Sequence, residues 1–372
     1  MSDKARTLAA ANGRTPEADP EFATRAEAFG TRMLDIVNDG FLALMISIGH
    51  QTRLFDTMST MPPATSTQIA EAAKLNERYV REWLAALTVG RIVDYHPADR
   101  TYVLPPAHAT SLTRAAGPDN IASFTQFVPL TASVEPEIID CFRHGGGVGY
   151  AEYGRFQQLA AEQSAAVHDV ALIDVTIALA PGLPERLRQG IAVADIGCGS
   201  GHAINLLGRE FPNSHFVGYD FSEEGIAAGR AQARAMGLAN TGFELRDVTY
   251  LAESNRFDLI TAFDTIHDQA HPKQVLRGIA EALKDDGIFL MVDVQASSNL
   301  EENLDHPMGP GLYAISTMHC MTVSLALDGD GLGTMWGEQL ATRMLREAGF
   351  ASIDIEHVEA DILNSYYVAR KS

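Results

Sequence analysis

A chain of 372 residues, 46% hydrophobic and 20% charged, is long enough for two domains and a connector and has a globular composition. Its formal net charge of -20 repels a phosphate backbone, which argues against tight nucleic-acid binding and leaves a small molecule as the expected partner. Cys141, Cys198 and Cys320 are widely spaced and odd in number, so neither a disulfide framework nor a zinc site is expected. With no uninterrupted apolar run near about 18 residues, the reading is a cytoplasmic protein without a membrane span.

Residues 1–21 lack the basic start and apolar middle of a secretory signal and read as a polar, flexible tail. From Phe22 to Met58, apolar residues at helical spacing (Met33, Val37, Phe41, Leu44, Met45, Ile48) predict two helices, with Gly40 and Gly49 as interruptions. Thr65 or Ser66 can cap a short helix and Asn76 a second one ending at Gly90, a helix-turn-helix pattern. RIVDY and TYVLP then make a two-stranded wing around the turn HPADR, so residues 22–115 read as a winged-helix-like domain. Residues 116–189 look helical apart from the glycine-rich HGGGVGY, and read as a connector and lid in which Phe124, Phe127, Tyr150, Tyr153 and Phe156 are candidates to cover a ligand.

Residues 190–372 alternate strand-like runs (AVADIG, HFVGYD, GFELRD, FDLITAF, GIFLMVD) with amphipathic helices, which predicts a doubly wound, mostly parallel α/β sheet. SIDIEHV and NSYYVARK read as an antiparallel hairpin closing one edge. The first strand runs into DIGCGSG, Asp195–Gly201, and a helix starts at His202. Gly197, Gly199 and Gly201 allow a tight turn and close approach of a ligand. A dinucleotide fingerprint would need glycine at position 202, where His202 stands. Asp195 suits a ligand with a positive amino group, Asp220 can accept from ribose hydroxyls, and Asp247 closes the third strand where an adenine edge would lie.

DIGCGSG, the acids in VGYDFS and ELRDVT, and the run FDLITAFDTIHD resemble class I S-adenosylmethionine-dependent methyltransferases over roughly residues 190 to 372. That resemblance implies Gly197, Gly199 and Gly201 at the methionyl part of S-adenosylmethionine, Asp220 at the ribose, and Asp247 with Val248 at the adenine. Phe221 and Phe263 complete the candidate cofactor set. The segment Asp264–Asp268 continuing into QAHPKQVLRGI is similar to the His-Asp stretch of plant-type small-molecule O-methyltransferases. There the histidine deprotonates an acceptor hydroxyl and an N-terminal winged-helix-like module serves dimerisation. Gln269 stands where that family commonly has an aromatic residue. The whole chain resembles a bacterial group of winged-helix methyltransferases, marked by STMHCMTVSLA.

His267 is therefore the candidate general base, with a pocket-shaping residue as its plainer alternative. Asp268 is a substrate contact or a helix cap, while His319, Met321 and Tyr313 line the acceptor pocket or belong to the core. A metal from His267, His271, His306 and His319 lacks tight ligand spacing, and none is expected. The expected activity is methyl transfer to a small-molecule hydroxyl. A thiol acceptor is the nearest rival, and a cofactor-sensing, DNA-binding regulator is the alternative from another class. A homodimer through the N-terminal helices fits the acidic chain better than DNA contact does.

Overall fold

The computed structural model describes residues 20–359 and 361–371, so most of the expected N-terminal tail lies outside the described residues. The chain forms two compact units, one reaching Val128 and the other starting at Pro129. Residues 129–189, expected as part of a separate connector, thus pack with the second unit.

In the first unit, helix α1 spans Pro20–Gln51 and α2 spans Leu54–Ser59. The two expected helices are one long helix and one short one. Gly40 does not interrupt α1, since a lone glycine costs a helix only about 1 kcal/mol. Gly49 is there for close packing, because a Cβ would lie 2.5 Å from the Trp83 ring and 2.6 Å from Phe55. Helix α3 (Ser66–Ala73) opens with a capping box between Thr65 and Gln68, and Asn76 Oδ1 caps α4 (Glu77–Val89) by accepting from Arg78 N at 3.0 Å. The wing is β1 (Asp94–His96) paired antiparallel with β2 (Thr101–Val103). Phe55, Ile69, Val80, Trp83, Leu84, Leu87 and Val93 form the core of this unit.

Phe29, Leu34 and Phe41 on α1 are each about two-thirds exposed, and Phe22, Met33, Val37 and Ile48 extend them as an apolar stripe along the helix. Although no uninterrupted apolar run was found in the sequence, an 18-residue window of Glu21–Gln51 has mean hydropathy 1.2, which by length and composition alone is enough to cross a membrane. Asp35 and Asp39 recur along it, the pattern of an amphipathic interface helix.

The second unit holds a seven-stranded sheet in the order β5-β4-β3-β6-β7-β9-β8. Its strands are β3 (Ala192–Ile196), β4 (His215–Asp220), β5 (Thr241–Leu245), β6 (Phe257–Phe263), β7 (Leu283–Val294), β8 (Ser352–His357) and β9 (Asn364–Arg370). The first five are parallel and β9 runs antiparallel to both its neighbours. Every strand expected in this half of the sequence is present. Alternate residues pack on opposite faces: Ala194, Ile196, Ile260 and Ala262 in one core, Val193, Leu259, Ile288 and Leu290 in the other, as a sheet covered on both sides requires.

The strand order reverses between β3 and β6, and the register pairs Ile196 with Ala262 and Phe263 with Val292. The carboxyl ends of β3, β6 and β7 are therefore level, and the loops above them face one crevice, where doubly wound folds bind ligands. Helices α7 (His202–Glu210) and α8 (Pro272–Ala282) start at this edge and pack on opposite faces of the sheet, and the second unit also holds α5 (Glu135–His144), α6 (Phe156–Ala171), α9 (Gly309–Ile315) and α10 (Met321–Leu325), with a π-helical turn, Ser316–Cys320, between the last two. Such turns widen a helix by one residue and are frequent at functional sites.

Candidate active site

The glycine loop leaves β3 with left-handed backbone at Gly197 (φ +67°), Gly199 (φ +51°) and Gly201 (φ +70°). Their reasons differ. A Cβ on Gly197 would lie 2.0 Å from Thr265 Oγ1, and one on Gly201 would lie 2.1 Å from the Phe243 ring, whereas Gly199 faces open space. Two glycines let the loop sit tightly and the middle one keeps a cradle free. Asp220, at the end of β4, holds the loop by accepting from Gly199 N through Oδ2 and from Ser222 N through Oδ1, each at 2.8 Å. Burial raises its pKa and these backbone donors oppose the rise.

Asp195 lies inside the sheet edge, accepts from Thr261 Oγ1 at 2.6 Å, and is pushed up to about 7, chiefly by burial. Asp247 is exposed two residues beyond β5 and accepts from Thr249 N at 2.9 Å, while Val248 beside it is buried. Phe221 is half exposed with its ring 5.2 Å from that of Tyr150, and Phe263 meets the His168 ring edge-on at 4.9 Å.

His267 is buried in the loop after β6, and Nδ1 lies 2.7 Å from Asp293 Oδ1. Asp293, near the end of β7, is wholly buried and also accepts from Trp336 Nε1 at 3.1 Å and from Val294 N at 2.8 Å, all at Oδ1. Burial works against a charge on His267, but the Asp293 carboxylate, together with Cys320 beside the ring, outweighs it and holds the imidazole well above its ordinary range. With Nδ1–H donated to Asp293, Nε2 is left as the basic nitrogen, the tautomer a proton acceptor needs. Sequence reasoning missed Asp293, and it offered Trp336 as a pocket-lining candidate and not as a partner of that acid.

Asp268 accepts from Tyr150 Oη at 2.5 Å and is raised to about 6, chiefly by burial. It caps no helix: α8 starts four residues later, with His271 in the capping position. Tyr150 is placed by the glycine-rich loop. Gly145 and Gly146 have φ of +75° and +83°, Gly147 meets the backbone of the Met321–Leu325 helix with no room for a Cβ, and Val148 N donates to Thr322 Oγ1 at 2.9 Å. Asp264 has a left-handed φ of +49°, and burial raises it to about 7, with Asp293 adding to the rise. The residue is itself exposed, so neighbouring protein crowds it without enclosing it.

His319 sits on the π-helical turn, 1% exposed, stacked on Phe156 at 3.8 Å and edge-on to Tyr150 and Tyr153. Neither ring nitrogen has a hydrogen-bond partner. The nearby tyrosine hydroxyls are committed, Tyr150 to Asp268 and Tyr153 to the Met318 carbonyl. Burial, and then the charge on His267, lower its pKa to about 3, so the ring is neutral and its N–H is unsatisfied.

Met321 starts the next helix, near Gly333, whose N–H donates to the His267 carbonyl at 3.1 Å. Tyr313 belongs to a different cluster, where its hydroxyl accepts from Asn303 Nδ2 at 3.1 Å. Phe124 and Phe127 lie in the first unit, 5.6 Å apart. Among the described residues no three His, Cys, Asp or Glu side chains are placed to hold a metal ion.

A doubly wound sheet with a glycine cradle, an acid at the next strand end and a buried His-Asp pair level with them defines a methyltransferase domain of the class I, S-adenosylmethionine-dependent type. Residues 187–349 match the family model of a methyltransferase domain, and residues 40–114 match that of an Rv2258c-like winged HTH domain. The chain thus joins a winged HTH domain to a methyltransferase domain. Among curated proteins, malonyl-(acyl-carrier protein) O-methyltransferase of Bacillus cereus is 30% identical over 149 residues, 40% of this chain and 49% of that one. The chain spans about half, or less, of the length of the curated relatives it matches.

Solved structures share the fold over nearly the whole chain. Mitomycin 7-O-methyltransferase has a TM-score of 0.68 at 19% identity, covering 94% of this chain and 99% of that one. Human N-acetylserotonin methyltransferase, solved in complex with SAM, has a TM-score of 0.65 at 14% identity, covering 92% and 98%.

Proposed function

We propose that the protein transfers the methyl group of S-adenosylmethionine to a hydroxyl of a small-molecule acceptor, with His267 as general base. The observation that carries this is the buried His267–Asp293 pair at the carboxyl edge of the sheet, level with the glycine cradle. The open face of Gly199 and the carboxylate of Asp220 fit an adenosyl amino acid, which when bound supplies an electrophilic methyl group. Displacement at that carbon needs alignment of the acceptor and removal of its proton. Asp293 holds the imidazole in one tautomer, Nε2 takes the proton, and the aromatic segment Tyr150–Phe156 excludes water. The unsatisfied N–H of His319 supports an acceptor that offers a hydrogen-bond acceptor of its own. Asp268, through Tyr150, and Met321, through Gly333, adjoin the same residues.

The test is methyl transfer from radiolabelled S-adenosylmethionine to a panel of phenols and aryl thiols. A phenol should be methylated, and His267→Ala should lower its turnover by about 10² or more with cofactor affinity kept within a few-fold. Transfer to thiols alone, unaffected by that substitution, would replace the reading with S-methylation.

For the N-terminal unit the proposed role is homodimerisation in the cytoplasm. The apolar stripe of α1 supports it, as does the adjoining apolar groove lined by Met45, Ile48, Tyr79, Trp83, Ala86 and Val89. Against DNA contact, Arg78 and Arg81 on α4 are each paired with a glutamate one turn away, Glu82 and Glu77.

A further inference from the structure

The glycine-rich segment 328–337, which follows α10, ties down the loop that carries His267. Asp330 N donates to the Ala270 carbonyl at 2.8 Å and Gly333 N to the His267 carbonyl at 3.1 Å. Ser324, on α10, adds to the tie. Its hydroxyl donates to the Gln269 carbonyl at 3.0 Å and accepts from Gly331 N at 3.1 Å. A Cβ on Gly329 would lie 2.6 Å from Ala270 Cα, so glycine is what lets the two segments run this close.

The segment ends by delivering Trp336. Its carbonyl accepts from Ser298 Oγ at 2.6 Å, and a Cβ on Gly337, directly after it, would come within 2.1 Å of Ser298 N. The indole is 3% exposed and belongs to the hydrophobic core on that face of the sheet, where an N–H without a partner would be costly. It finds its partner in Asp293 Oδ1 at 3.1 Å, the same oxygen that His267 Nδ1 meets at 2.7 Å and Val294 N at 2.8 Å. Oδ2 is enclosed and has no partner. Three donors thus converge on one oxygen, which fixes the rotation of the carboxylate and decides which oxygen faces the imidazole.

The indole donor also has an electrostatic consequence. A proton on His267 neutralises the Asp293–His267 pair, and its loss leaves a net negative charge inside the protein. The positive end of the N–H dipole stabilises the charged form more than the neutral one, so it opposes protonation of the pair. Asp293 itself acts the other way and holds the imidazole above its ordinary range. A general base is most useful when it is unprotonated near the working pH. Also facing the pair are Asp264 and Asp268 on the loop of His267, Cys320 and His319 on the π-helical turn, and Tyr367 on β9.

We propose that Trp336 is a positioning residue for the base, whose indole N–H turns Asp293 Oδ1 toward His267 and limits how tightly the pair holds a proton. The proposal rests on His267 acting as the base in methyl transfer.

Replacing Trp336 by the benzothiophene analogue of tryptophan, which keeps both rings and lacks the N–H, tests it on the full chain. Nuclear magnetic resonance of protein labelled with nitrogen-15 histidine, with the His267 signal identified by its loss in His267→Gln, reads the titration without any ligand. The midpoint should move to higher pH than in the wild type, and kcat/KM on the acid limb should fall by about 2- to 10-fold, the worth of one hydrogen bond. An unmoved midpoint, or one moved to lower pH, would overturn the assignment and leave Trp336 as packing. Should the analogue fail to fold, the wild-type indole signals decide. The Trp336 N–H should shift with the His267 titration, while that of Trp83, bonded to the Met45 carbonyl at 2.8 Å, should not. A Trp336 signal blind to that titration would overturn the assignment as well. A displaced midpoint in a protein that methylates no acceptor would leave the effect on the pair in place and sink the methyl-transfer reading instead.

Discussion

Replacing Asp293 by Asn tests whether the buried pair makes His267 a base. The substitution keeps size and one acceptor oxygen, so the bonds from His267 Nδ1, Trp336 Nε1 and Val294 N, all made to Oδ1, can survive. The new NH₂ group takes the place of Oδ2, which is enclosed and has no partner, so an unsatisfied donor is created at a cost of about 1–3 kcal/mol. If the amide turns the other way, its NH₂ meets His267 Nδ1 and selects the wrong tautomer. Turnover should then fall by roughly 10²–10⁴, the range of general-base catalysis.

The pH profile carries a second signature. The wild-type imidazole is held above 6.5 by Asp293, so the neutral base, and with it kcat/KM, rises as pH climbs through that elevated value. Without the carboxylate, burial is opposed only by Cys320, and the acid limb should move to lower pH. Stability should follow the same linkage. The pair's contribution is fully present below the unfolded value of 6.5 and is lost as pH rises through the folded value, so the variant's deficit should be largest in acid and shrink in alkali. Initial rates on a methylated phenol across pH, with denaturant melts at each end, provide the assay. An unchanged acid limb with unchanged turnover would refute the base assignment.

Asp220→Ala removes the acceptor for Gly199 N and Ser222 N as well as any ribose contact, and should weaken cofactor binding by at least about 30-fold in calorimetry, some 2 kcal/mol. Unchanged affinity would contradict its role. Gly201→Ala and Gly199→Ala should separate packing from binding. The first meets the Phe243 ring at 2.1 Å with φ +70° and should cost about 2–4 kcal/mol of stability in urea melts. The second meets nothing, should cost only about 1–2 kcal/mol, and should still impair cofactor binding by filling the cradle. Phe41→Asp places a charge in the exposed stripe of α1 and should yield a folded monomer by sedimentation, with a dimeric variant arguing against that face.

The sheet was legible because its strands differ sharply in period and length from the helices between them, and because glycines and acids punctuate their carboxyl ends. The same cues located DIGCGSG and His267. Asp293 escaped because it lies 26 residues from His267 and its partnership depends on strand register. The signal was nevertheless present: GIFLMVD ends in an acid, and a β7 parallel to β6 must bring that acid level with the residues after Phe263. Gly40 was misread as an interruption because a lone glycine costs a long helix only about 1 kcal/mol, too little to break it.

Calorimetric titration of the purified protein with S-adenosylmethionine and S-adenosylhomocysteine, with NADH as control, tests the central claim most directly. Micromolar binding of both adenosyl ligands and none of NADH is the predicted result. Failure to bind either adenosyl ligand would leave the fold in place and contradict the enzyme account.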